Sequence, residues 1–181
     1  MSDLQLPASG LTEDILPKYL HPGGEIHLVT FNLGEEYGVP IGQVREVVRV
    51  SGITTVPNSP SYMEGVINLR GRVLPVLNLR KRLGLQSRDS SRASRIIVTE
   101  AGGRVVGLLA DSVSHVIKVP SEAVEAAPEE VLEGDTDYIT GVGKLKERLV
   151  ILLDLEKLLQ REKLEVNEGG TAGEEENENG R

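Results

Sequence analysis

Three histidines, His21, His27 and His115, are the side chains here best placed by type to ligate a metal or pass protons near neutral pH. None lies three or four residues from another, the spacing that puts two ligands on one helix face. No cysteine is present, which excludes thiol nucleophiles, cysteine zinc sites, iron–sulfur clusters and disulfides together. Serine and aspartate are plentiful, but no Gly-x-Ser-x-Gly elbow exists to activate a serine. Gly141-Val142-Gly143-Lys144 has the ending of a phosphate-binding loop. Tyr138 stands where that loop needs its first glycine, and Leu145 where it needs Ser or Thr. The expectation is a protein with no catalytic site, no metal and no cofactor.

Charge suggests binding instead. Arg70, Arg72, Arg80, Lys81, Arg82, Arg88, Arg92 and Arg95 face one acid, Asp89, over their interval. Glu122, Glu125, Glu129, Glu130, Glu133, Asp135 and Asp137 then follow without a base. A basic run supplies affinity for phosphates, and a small β-barrel that binds nucleic acid is the distant alternative. Such barrels stack bases on aromatic side chains. This chain has one Phe, four Tyr and no Trp, and its net charge is −8. Segregated charge of this kind suits docking on proteins.

With 39% hydrophobic residues and so few aromatics, Val, Ile and Leu must build the core, which favours strands. Residues 1–24, with Pro7, Pro17, Pro22 and Gly23-Gly24, read as a loosely held extension. They lack the basic and apolar regions of a secretory signal, and no window has the ~18 apolar residues of a membrane span. Ile26–Leu33, Tyr37–Ile41 and Val47–Val50 read as strands, with one turn expected around Gly42–Glu46. Gly65–Leu69 and Arg72–Leu77 form a hairpin about Arg70-Gly71, followed by one helical turn with Asn78 as N-cap. The chain then restarts. Val29/Val98, Thr30/Thr99, Gly38/Gly107, Val44/Val113 and Val47/Val116 coincide at one offset. Gly65/Gly141, Leu69/Leu145, Arg72/Arg148, Leu77/Leu153 and the caps Asn78/Asp154 coincide at another. Two related β-rich halves, about 26–85 and 96–160, are expected to pack as one domain over 25–162 with short helices and a C-terminal helix. Residues 163–181, rich in Glu and Gly, are expected to form a disordered acidic tail.

The run from Tyr62 to Arg80, with Gly65-Val66-Ile67-Asn68-Leu69-Arg70-Gly71 and Leu74-Pro75-Val76-Leu77-Asn78-Leu79-Arg80, resembles the chemotaxis coupling protein family, CheW. Tyr37-Gly38-Val39, Val44-Arg45-Glu46-Val47, Asp111-Ser112-Val113, Tyr138–Gly143 and Asp154–Leu159 extend the resemblance over about 25–160. It implies a mainly β fold of two SH3-like five-stranded barrels packed as one CheW-like domain. It also implies a non-enzymatic, cytoplasmic adaptor recruited to membrane receptor arrays. Its partners would be the cytoplasmic tip of methyl-accepting chemoreceptors and the regulatory domain of a CheA-type histidine kinase, with contacts between copies in arrays. No nucleic acid and no membrane insertion are expected. Relatives of the fold also serve pili-driven and other non-flagellar pathways. Matching the family position by position, Val44, Gly65, Asn68 and Arg70 would meet the receptor in a groove between the halves, and Glu46 falls at another binding position. The kinase face is expected on the first half.

Overall fold

The computed structural model describes residues 20–21, 24–129 and 137–159. Most of the expected N-terminal extension, residues 130–136 of the acidic run and the whole acidic tail lie outside the described residues. Twelve strands and two short helices are described. They are β1 (Leu20–His21), β2 (Glu25–Asn32), β3 (Glu36–Pro40), β4 (Val44–Arg49), β5 (Met63–Leu69), β6 (Arg72–Asn78) and α1 (Leu79–Arg82). After them come β7 (Arg95–Ala101), β8 (Arg104–Ala110), β9 (Ser112–Pro120), β10 (Val124–Glu125), β11 (Ile139–Leu145) and β12 (Arg148–Leu153), with α2 over 155–159.

The molecule is mainly β, with two sheets. One runs β4-β7-β8-β6-β5; the other runs β1-β2-β3-β12-β11-β10, with β9 on the far side of β2. The sheets do not follow the two sequence repeats. The first is one continuous piece of chain, 44–110, and the second is assembled from what flanks it. The initial hairpin of each repeat therefore joins the other repeat's strands. β3 pairs in parallel with β12, and β8 pairs in parallel with β6. The chain changes sheet at the 3-10 turn Ile41–Gln43 and again at Asp111.

The register also refines the alignment of the repeats. Gly38 pairs with Thr30, whereas Gly107 pairs with Val98. Thr30 and Val98 are thus the equivalent positions, one residue off the expected Val29/Val98 and Thr30/Thr99. The cause is the turns: residues 33–35 separate β2 from β3, and only Gly102-Gly103 separate β7 from β8.

Each sheet curls around its own apolar cluster, Ile67, Leu74, Val76, Ile96, Val98 and Leu109 in one, Ile26, Leu28, Val119, Val124, Val150 and Leu152 in the other. A larger cluster, including Phe31, Tyr37, Leu77, Ile97, Leu108, Leu153 and Leu158, is shared between them. At ~25 cal/mol per Å² of buried apolar surface, that shared layer holds the sheets together as one unit. Both expected N-caps form. The Asn78 carboxamide accepts from Lys81 N and the Asp154 carboxylate from Lys157 N, each at 3.2 Å.

Candidate functional site

The expected site residues all lie on the 44–110 sheet, and its curl explains how they meet. β4 and β5 are its opposite edges. Beyond β4 the chain returns to β5, where Thr54 and Val66 exchange backbone hydrogen bonds at 2.9 Å and close the barrel. Glu46 on β4 and Arg70 in the β5–β6 turn meet across this closure. Arg70 donates from Nη1 to Glu46 Oε2 at 2.6 Å and from Nη2 to Oε1 at 3.1 Å. A fork-to-fork pair fixes orientation as well as distance. The hydrogen bond to Glu46, then its charge, raises the affinity of the Arg70 guanidinium for its proton. Arg70 remains three-quarters exposed, so its aromatic-sized planar face is open to a partner.

The turn that presents Arg70 is built by Asn68, whose side-chain oxygen accepts from Gly71 N at 3.0 Å. Arg70 itself has φ +52, a left-handed conformation that this local bond helps to hold. Asn68 therefore acts on Arg70 through the backbone. Gly65 plays a different part. It is buried, has φ +149 and sits at a register shift of β5 against β6. A Cβ there would lie 2.2 Å from the Thr54 carbonyl oxygen. Its lack of a side chain lets the closing strand approach. Val44 is half-buried against the cluster shared by the two sheets. Glu46, Asn68 and Arg70 form one surface, Gly65 supports it from inside, and Val44 sits towards the sheet–sheet boundary.

Sequence reasoning missed a second surface. On the other sheet a hollow of about 460 Å³ is lined by Ala126, Ala127, Pro128, Val142, Leu149 and Ile151, with charged Glu125 and Lys144 also on it. Leu149 is 60% exposed, and its repeat equivalent Val73 is 68% exposed. The available signal was an apolar residue two places after a hairpin turn in both repeats, Val73 after Gly71 and Leu149 after Glu147.

A family model for the CheW-like domain matches residues 27–163. The chemotaxis protein CheW of Klebsiella aerogenes is 40% identical over 135 residues, covering 74% of this chain and 81% of that protein. The probable chemotaxis protein CheW of Rhizobium etli is 37% identical over 144 residues, covering 79% and 93%. Among solved structures, the scaffolding protein TtCheW from Thermoanaerobacter tengcongensis superposes with a TM-score of 0.68 at 38% identity, covering 73% of this chain and 90% of that one.

Proposed function

This chain belongs to the CheW-like family of chemotaxis scaffold proteins, which are not enzymes, and on that premise we propose that it couples chemoreceptors to a histidine kinase. One partner is the helical cytoplasmic tip of a methyl-accepting receptor, and the other is the like-folded regulatory domain of a CheA-type kinase. The observation that carries the proposal is the pair of unlike exterior faces on two sheets sharing one core. One is the charged Glu46–Arg70 closure, and the other is the apolar hollow over β11 and β12. An adaptor needs two such faces, because a single one would be blocked by its first partner.

In this reading the receptor meets Val44, Asn68 and Arg70, with Glu46 fixing Arg70 and Gly65 keeping the edge closed. No described helix is long and apolar enough to cross a membrane, so the partners' own membrane attachment would bring the chain to receptor arrays. Co-sedimentation of the protein with a receptor cytoplasmic fragment and, separately, with the kinase tests the proposal. Wild type should bind both, and Arg70→Ala should lose the receptor while keeping the kinase. Failure of the wild type to bind either partner would end the adaptor reading. Preference for receptors of a pilus-driven system over those of a flagellar one would assign the chain to the non-flagellar pathway.

A further inference from the structure

The far end of the β4 edge carries an arrangement that the Glu46–Arg70 site does not use. Arg49 and Arg95 are direct cross-strand partners on β4 and β7. Like charges placed directly opposite each other destabilise a sheet. Together with Arg92, Ser91, Ser94 and Val50 they line a hollow of about 440 Å³ that contains no acidic residue. Arg95 Nη1 donates to the carbonyls of Arg92 at 2.7 Å and Ser94 at 2.8 Å, which holds the arginine loop against the strand. Among the described residues, no carboxylate pairs with Arg49, Arg92 or Arg95, although five other arginines of the same domain have one. Three guanidinium groups gathered without a counter-charge make a site for a polyanion.

We propose that this hollow is the docking site of the chain's own acidic segment, Glu174-Glu175-Glu176-Asn177-Glu178. Geometry allows it. The Leu158 carbonyl accepts from Arg82 Nη2 at 3.0 Å, so Leu158 of α2 lies beside α1. From the α1 cap, Asn78 neighbours Leu109, Leu109 neighbours Ile96, and Ile96 neighbours Val48, next to Arg49. Three strand spacings make that path about 15 Å. Glu174 lies sixteen positions beyond Leu158, and a flexible chain of that length spans about 20–25 Å on average. A tether of this size gives an effective concentration of order millimolar. The chain's net charge of −8 disfavours a free nucleic acid or an anionic membrane as the occupant. Docked there, the glutamates neutralise the arginines three residues along β4 from Glu46 and compete with any acidic partner approaching that edge.

Because the chain has no cysteine, Asn177→Cys in the full chain accepts a single nitroxide. At about 50 mM salt, where the Debye length is about 14 Å, the label should at least halve the amide signals of Arg49, Val50 and Ser91–Arg95 and spare the Gly102-Gly103 turn. The effect should vanish with Glu174, Glu175, Glu176 and Glu178 all changed to Gln, and with Arg49→Ser/Arg92→Ser. Uniform broadening, or broadening that survives either set of changes, overturns the proposal. So does broadening that appears when spin-labelled and isotope-labelled copies are mixed, since the occupant would then be a second molecule.

Discussion

Arg82 and Leu158 occupy equivalent places in the two repeats, and they touch: Arg82 Nη2 donates to the Leu158 carbonyl at 3.0 Å. The same guanidinium lies 5.0 Å from the centre of the Tyr62 ring and 6.0 Å from that of Tyr138, which are also repeat equivalents. Each tyrosine carbonyl accepts from the N–H of an N-cap, Tyr62 from Asn78 at 2.8 Å and Tyr138 from Asp154 at 2.7 Å. One buried cation thus sits on the pseudo-twofold axis and is shared by both repeats. Only one repeat supplies it, because the other has leucine at that place.

The axis predicts two unlike outcomes at one position. Arg82→Ala removes the ring contacts and the hydrogen bond and leaves a void, and should cost about 2–4 kcal/mol in urea unfolding. Arg82→Met keeps the volume between the rings and removes a buried charge, so it should cost no more than about 1 kcal/mol. Equal losses would mean that the charge, and not the filling of the axis, is what matters.

Gly65→Ala should act through folding. The added methyl would meet the Thr54 oxygen at 2.2 Å and Ile53 Cγ2 at 2.9 Å, on a backbone at φ +149. Such a clash costs on the order of 2–3 kcal/mol or opens the barrel closure. Gly71→Ala is the control, since it shares a positive φ of +80 but meets nothing within 4 Å. Hydrogen exchange at Thr54 and Val66 should accelerate in the first variant and not in the second. If receptor binding falls with Gly65→Ala while exchange stays unchanged, Gly65 belongs to the contact surface itself.

Local chemistry was legible in the sequence, and distant pairing was not. Asn78 and Asp154 announce their caps because a carboxyl or carboxamide reaches an N–H only three residues on. The Arg70-Gly71 turn is equally local. The exchange of hairpins is not: Tyr37 pairs with Ile151, and no nearby residue records that choice. The repeat marks two related halves but not which strands each hairpin joins. At the site, the family resemblance alone points to Glu46 and Arg70, and only the closure of β4 on β5 shows that they form one pair. For the same reason, the run from Arg70 to Arg95 looked like one basic patch. Arg80 is in fact consumed by Asp111, to which its Nε donates at 2.8 Å, and Arg82 is buried on the axis, whereas Arg92 and Arg95 join Arg49 of β4 in a cluster without acids.

If Glu46 serves to orient Arg70, the two residues should behave as a unit in receptor binding. Arg70→Ala and Glu46→Ala should each weaken co-sedimentation with the receptor fragment, and the double variant should be no worse than the poorer single one. Thermal stability should change little in Arg70→Ala, because the pair is exposed and such pairs contribute modestly to folding. Additive losses in binding would show that each side chain contacts the receptor independently.

Alkaline pH should expose the tyrosines of the shared core. Burial raises the Tyr37 hydroxyl above the usual phenol value; repulsion from Tyr138 and Glu35 adds to this, and Arg80 opposes it. Burial likewise raises Tyr138, with Arg82 opposing and Asp137 assisting. The folded chain therefore keeps these protons at a pH where the unfolded chain has released its own, near pH 10. Below that value the tyrosines leave stability independent of pH; above it stability falls, until pH passes the raised folded values. Melting temperature measured from about pH 8 to pH 11 should bend downward near 10. Tyr37→Phe keeps the ring stacked on Phe31, whose centre is 6.1 Å away, and Tyr138→Phe keeps the face towards Arg82. The double Phe variant should flatten that bend, and an unaltered bend would assign the alkaline transition to other groups.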